Sequence, residues 1–361
     1  MDSLDSFSAD YAEARDKFRA AAADEGAQTQ QIPHPLTGPK GEALAVDVAW
    51  LGPREAERVL VTFSAVHGVE GFCGSGAQVD WLRRGEGRDL PAGVAVMHVH
   101  AVNPHGFAWL RRMTEENVDL NRNWIDFAAE RPRNLGYEAL AGVLCPADWS
   151  AETQAATRAA LGDYGREHGA AALAEAASGG QYVDPKGIFY GGQAPVWARR
   201  TLTDLLSERL ARARRVAVID FHTGLGPWGY GEPIIVEGPG DPAYERARNW
   251  FGAAITSMAK GEAAISKVSG DTLEGVPALL GHAETACVAL EFGTLPGPKV
   301  LNAIRADNWL HMHGDPLGPD AAAIKAEIRA AFFGDQPDWK GMILGQALAT
   351  ARQALGGLAA A

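Results

Sequence analysis

Four apolar runs constrain what this chain can fold into more than any other feature. "VLVTFSAV" (59–66), "VAVMHVHAV" (94–102), "VAVIDF" (216–221) and "CVAL" (287–290) read as strands of the fully buried kind. Stretches of helical character separate them: "GSGAQVDWLRRGE", an Ala-rich stretch from Ala151 to Ala177, and "VWARRTLTDLLSERLARARR", which Pro195 opens and cationic residues close. "EALAVDVAWLG" adds an earlier strand, joined to the first run by the "GPREAE" turn. "SADYAEARDKFRAAAADEGA" reads as an amphipathic helix, and "DAAAIKAEIRAAFF" and "WKGMILGQALATARQAL" as a helical tail. Alternating strands and helices predict an α/β fold with a mixed, largely parallel central sheet flanked by helices. No repeat or linker divides the chain, so the expectation is a single domain over 1–361 with a helical insertion at about 126–190. "SGGQYVDPKGIFYGGQAP" reads as a long surface loop.

Each run ends in polar residues: His67 and Glu70, Asn103 and His105, His222, and Glu291. A core strand needs no polar pair at its tip. In open α/β sheets ligand sites form outside the carboxyl ends of strands, so residues far apart in sequence meet there. His67, Glu70 and His222 make up two imidazoles and one carboxylate, the donor set of a catalytic zinc ion with one position left open. The H-x-x-E spacing puts two donors on one short turn, and the third arrives from another strand, so the metal is expected to pin the sheet's edge. Asp119 is placed to take the second N–H of a ligand imidazole. Glu291 is the candidate general base for a water acidified by the metal. Arg111 or Arg112 could polarise a carbonyl, and Asn121 with Arg122 could hold a substrate carboxylate.

Composition removes several function classes. The net charge of −12 is spread along the chain without a basic stripe, which argues against nucleic acid as a partner. No run of about 18 apolar residues offers a membrane span. The three cysteines (Cys73, Cys145, Cys287) form no C-x-x-C pair, and the first residues carry no apolar h-region. Both features point to a reducing, cytoplasmic setting. No motif specifies an oligomeric state. His98 and His100 share a strand face and read as hydrogen-bonded within the fold, and His311 and His313 read as structural. The glycines of "GFCGSG" lack the G-K-[ST] of a phosphate cradle.

The ordered motifs "HGVEG", "NPHGF", "VDLNRNW", "DFHTG" and "LEFGT" resemble those of the zinc metallocarboxypeptidase superfamily over about residues 40 to 300. The likeness is greatest to a bacterial carboxypeptidase-like branch labelled a domain of unknown function. The resemblance implies a metallopeptidase-type hydrolase with one zinc ion, held by His67, Glu70 and His222. It makes Glu291 the catalytic acid/base, Asp119 the partner of a ligand histidine and Asn121 with Arg122 the carboxylate-binding pair. Arg112 fits the spacing of the carbonyl-polarising arginine, with Arg111 as the alternative. A small peptide or an N-acyl amino acid is the implied substrate. The related succinylglutamate desuccinylase/aspartoacylase branch shares the ligands and implies amide deacylation instead; a non-catalytic binding protein on the same fold is a third possibility. Classical members carry a capping tyrosine about twenty residues before the catalytic glutamate, where this chain reads "SKVSGDTLEG". Tyr190, Tyr230 and Tyr244 are the stand-ins considered.

Overall fold

An apolar run with no polar face is stable in a sheet covered on both sides, and the computed structural model places all four runs there. It describes residues 3–265 and 268–360. The strands are β1 (Gln28–Thr37), β2 (Ala43–Leu51), β3 (Arg58–Phe63), β4 (Val94–His100), β5 (Arg215–Trp228), β6 (Gly231–Ile235), β7 (Thr256–Ser257) and β8 (Glu284–Gly293). The first helices are α1 (Tyr11–Asp24), α2 (Gly71–Arg83), α3 (Pro104–Ala108), α4 (Leu135–Leu144), α5 (Ala151–His168) and α6 (Ala170–Ser178). There follow α7 (Trp197–Arg209), α8 (Pro242–Phe251), α9 (Thr272–Leu279), α10 (Gly297–Met312), α11 (Ala321–Phe332) and α12 (Pro337–Ala359).

The strand order is β1-β2-β4-β3-β5-β8-β6-β7. The four apolar runs become β4, β3, β5 and β8, which are consecutive and mutually parallel. β2 joins β4, and β6 joins β8, antiparallel. The sheet is thus mixed with a parallel centre, as the sequence led us to expect. β3 and β5, which lead into the three proposed donors, are neighbours at that centre. The expected edge position is corrected, because sequence separation says nothing about which strands pair.

Side-chain alternation divides the core. Leu60 packs with Phe72, Trp81, Trp250 and Trp339 under α2, α8 and α12. Val59, Val61 and Phe63 pack on the other face with Leu202, Leu206 and Val276 of α7 and α9. A third cluster, with Val69, Leu140, Ile304 and Phe332, joins α4, α10 and α11 near the start of α2.

Some boundaries differ from the sequence reading. β1 was not expected, since "QTQQIPHPLT" is polar and holds two prolines. It lies at the sheet's edge, where a missing N–H on the outer side leaves no ladder bond unmade. α7 stops at Arg209, so Arg212 and Arg214 lie in the connection to β5 and Arg215 opens that strand. The loop after α6 holds one isolated bridge, Gln181 to Tyr190. The tail is helical as expected. His98 Nδ1 lies 2.8 Å from Thr62 Oγ1 and His100 Nε2 lies 2.9 Å from Ser75 Oγ, the internal pairing anticipated for both. His311 meets Lys325 at 2.7 Å in a buried network with Asp307. The three cysteines are free. Among the described residues, no helix is long and apolar enough to cross a membrane.

The turn after β3 needs close backbone approach. A Cβ on Gly68 would collide with the backbone of Gly106 and Phe107, and one on Gly71 would enter the Phe107 ring. Gly68→Ala is therefore expected to lower stability by about 2 kcal/mol or more, because the obstacle is backbone and cannot rotate away. Urea denaturation of the purified variant checks this; an unchanged midpoint contradicts the packing described.

Candidate metal centre

The site begins where β3 ends. Ala65 takes a left-handed conformation (φ 56°), as does Ala101 (φ 58°) after the neighbouring β4. The chain then enters a 3-10 turn, Gly68–Glu70, which runs straight into α2. His67 precedes that turn in extended conformation, and Glu70 occupies the N-cap position of α2, where the helix dipole favours negative charge. His222 lies on β5 and is in register with Glu291 on β8. Adjacent parallel strands thus present the third donor and the candidate base side by side.

The geometry is compact. Glu70 is 1% exposed, and its two oxygens face the two imidazoles. Oε1 lies 3.0 Å from His67 Nδ1, and Oε2 lies 2.9 Å from His222 Nδ1. One potential ligand atom from each of the three residues lies within 4.8 Å of the others. The far nitrogens also face carboxylates: His67 Nε2 is 2.9 Å from Asp119 Oδ1, and His222 Nε2 is 2.9 Å from Asp220 Oδ2. Arg112 Nη2 also lies 2.8 Å from His67 Nε2; in the tautomer that carries its proton on Nε2 and donates it to Asp119, the His67 Nδ1 lone pair is directed into the site. Although 3.0 Å from Glu70, this buried Nδ1 has no hydrogen-bond partner among the described residues.

Charge supports the same conclusion. Glu70, Asp119, Asp220 and Glu291 are all buried, against the guanidiniums of Arg112 and Arg122. Burial by itself would raise the Glu70 and Asp119 carboxyls. It is outweighed by His67 at Glu70 and by Arg112 at Asp119, so both are held below the usual carboxylate range. Burial would likewise lower His222, yet Asp220 and Glu70 drive it well above the ordinary imidazole value. A cage that draws positive charge onto its histidine suits a divalent cation, and two imidazole nitrogens with one carboxylate suit zinc. The residues present fit the ion.

The remaining expected residues separate. Arg112 reaches the centre: Nη1 donates to Glu70 Oε1 at 2.9 Å and Nε to Asp119 Oδ2 at 3.0 Å. Arg111 does not; it is buried against Asn117 at 2.7 Å, with Asp307 3.9 Å away. Arg122 donates to the backbone carbonyls of Asn121 (2.7 Å) and Ser178 (2.5 Å), while its buried Nε has no partner among the described residues. Asn121 is engaged within the fold: Oδ1 accepts from Thr272 N at 3.2 Å, and Nδ2 lies 3.4 Å from His222 Nε2. Glu291 Oε1 accepts from Leu225 N at 3.0 Å. Burial, reinforced by the Glu70 charge, raises its pKa to about 7. Tyr190 and Tyr244 are core residues, and Tyr230 is 46% exposed in the turn after β5. Ser266 and Lys267, within the segment that lacks a tyrosine, lie outside the described residues.

Three participants were not anticipated. Asp220 stands two residues before His222 on the same strand face, and that spacing is a legible signal. Thr272 donates to Asp220 at 2.6 Å, and nothing in the sequence marks it. Phe189, itself left-handed (φ 52°), has Arg112 and Arg122 at 5.3 and 5.7 Å from its ring centre.

The chain belongs to the family described as protein of unknown function, DUF2817, whose model matches residues 7–346. That agrees with the branch label the motifs suggested. No curated protein matches the sequence. Among solved structures it is similar to bovine thrombin-activatable fibrinolysis inhibitor in complex with tick carboxypeptidase inhibitor, at 12% identity over 91% of this chain and 97% of that one, TM-score 0.46. It is also similar to carboxypeptidase A from Helicoverpa armigera, at 11% identity over 91% and 75%, TM-score 0.45. A third is the succinylglutamate desuccinylase from Chromobacterium violaceum, at 13% identity over 84% and 74%, TM-score 0.37. The site's own geometry, rather than these likenesses, carries the functional reading.

Two outcomes are expected. Purified protein takes up one equivalent of zinc per chain, and His67→Ala or His222→Ala abolishes uptake; isothermal titration checks this. In chelator-treated protein Glu291 ionises near 4.5 when unfolded but only near 7 when folded. Its burial therefore lowers stability as pH rises through that window. Glu291→Gln should raise the unfolding temperature at about pH 8 and leave it unchanged at about pH 4.

Proposed function

We propose that this chain is a zinc-dependent hydrolase of the metallocarboxypeptidase type, cleaving an amide bond next to a free carboxylate. The observation that carries the reading is the convergence of His67, Glu70 and His222, with Glu291 beside His222 on the adjoining strand. The substrate class is a small peptide or an N-acyl amino acid.

A bound zinc ion supplies Lewis acidity, which polarises a carbonyl and lowers the pKa of a water. The chain's residues supply the rest. Glu291 is held through Oε1 by the Leu225 N–H, which leaves Oε2 to accept a proton from the attacking water. A carboxyl with a pKa raised to about 7 can return that proton to the leaving amine near neutral pH. Arg112, fixed by Glu70 and Asp119, holds a positive charge where a carbonyl oxygen gains negative charge. Arg122 carries a buried charge whose Nε has no partner among the described residues, and a substrate carboxylate provides the missing acceptor. Asn121 Oδ1 is committed to the Thr272 N–H, so we assign it a positioning role rather than the direct carboxylate contact its motif implied.

The test is a screen of short peptides and N-acyl amino acids with zinc-loaded protein. Glu291→Gln should lower kcat by roughly a hundredfold or more with little change in KM. Arg122→Ala should chiefly raise KM for substrates with a free carboxylate. Glu291→Gln protein with undiminished turnover contradicts the assignment of the base.

A further inference from the structure

The two imidazoles are supported by aspartates that are themselves held in different ways. Asp119 is braced by Arg112 at 3.0 Å and by the Asn121 backbone N–H at 2.9 Å. Asp220 is fully buried, and its Oδ1 has no hydrogen-bond partner among the described residues. Its Oδ2 lies 2.9 Å from His222 Nε2 and accepts from Thr272 Oγ1 at 2.6 Å. Thr272 also donates its backbone N–H to Asn121 Oδ1 at 3.2 Å, and Asn121 Nδ2 lies 3.4 Å from the same His222 nitrogen. One residue thus ties together both groups that flank His222 Nε2.

Thr272 is well suited to hold them. It is the first residue of α9, a helix whose N-terminus is fixed by the Asp271 side chain accepting from Glu274 N. Its side chain is buried, and a β-branched residue in a helix has few rotamers to choose from.

We infer that Thr272 is a positioning residue of the metal centre: through Asp220 it fixes the orientation of His222, so that Nδ1 points into the site. This rests on the metal reading given above. Without the Thr272 hydroxyl, the Asp220 carboxylate keeps the imidazole as its only polar partner among the described residues and can turn about its own side-chain bonds. The ring it orients then turns with it. Partners of this kind, one shell beyond the ligands, typically change metal affinity by roughly 10–100-fold. Thr272 acts one step further out, so a smaller effect is expected.

The experiment measures zinc affinity of the full chain by competition with a chromophoric chelator, with the cobalt(II) absorption band as a second readout. Asp220→Asn should bind zinc roughly 10–100-fold more weakly than wild type. Thr272→Val removes the hydroxyl at nearly constant shape and should weaken binding by roughly 3–10-fold and shift the cobalt band, a fraction of that effect. Thr272→Ser keeps the hydroxyl and should restore both. Thr272→Val protein that binds zinc as tightly as wild type overturns the proposal. So does a loss in Thr272→Val that Thr272→Ser fails to restore, since the hydroxyl is then not the agent. Wild-type protein that binds zinc no better than His222→Ala overturns the metal reading itself, and this proposal with it.

Discussion

A single buried carboxylate organises this molecule. Glu70 lies almost wholly out of water, between two imidazoles and within reach of Arg112. An isolated carboxylate in that position would cost several kcal/mol in lost hydration. What surrounds it removes the penalty: the Thr223 N–H donates to Oε2 at 3.1 Å, Arg112 to Oε1, and the start of α2 contributes its dipole. The turn that carries Glu70 itself requires close approach, of the Gly68 backbone to that of Gly106 and Phe107 and of Gly71 to the Phe107 ring.

The parallel centre of the sheet explains why the arrangement is economical. β4, β3, β5 and β8 all end on one side, so a residue that ends one strand meets residues that end its neighbours. His222 and Glu291 need no loop to bring them together, since they are register partners. The excess of carboxylate over guanidinium at this end draws in positive charge. Glu291 feels the same excess as repulsion from Glu70, which, together with burial, brings it near neutral pKa.

Much of this was legible in the chain. Apolar runs without polar alternation identified the central strands, and the polar residues at their ends identified His67, Glu70, His222 and Glu291. Asp119 was read from its motif and Arg112 only as one of two candidates with Arg111; the structure brings Asp119 to His67 and Arg112 to Glu70. The illegible parts are illegible for physical reasons. Strand order is set by packing rather than by spacing, so the centre of the sheet was taken for its edge. β1 hides behind two prolines that only an edge position tolerates. Arg111 and Arg112 are adjacent in sequence, and only the turn of the backbone sends one to Glu70 and the other to Asn117. Thr272 and Phe189 act through contacts between segments far apart in sequence, which no local pattern encodes.

The central claim is that His67, Glu70 and His222 bind one divalent ion together. Anomalous diffraction at the zinc edge, on crystals of stoichiometrically loaded protein, tests it most directly. The account predicts one peak, about 2.0–2.2 Å from His67 Nδ1, His222 Nδ1 and a Glu70 oxygen. A fully loaded crystal with its zinc peak elsewhere, or bound by only one of these side chains, contradicts it.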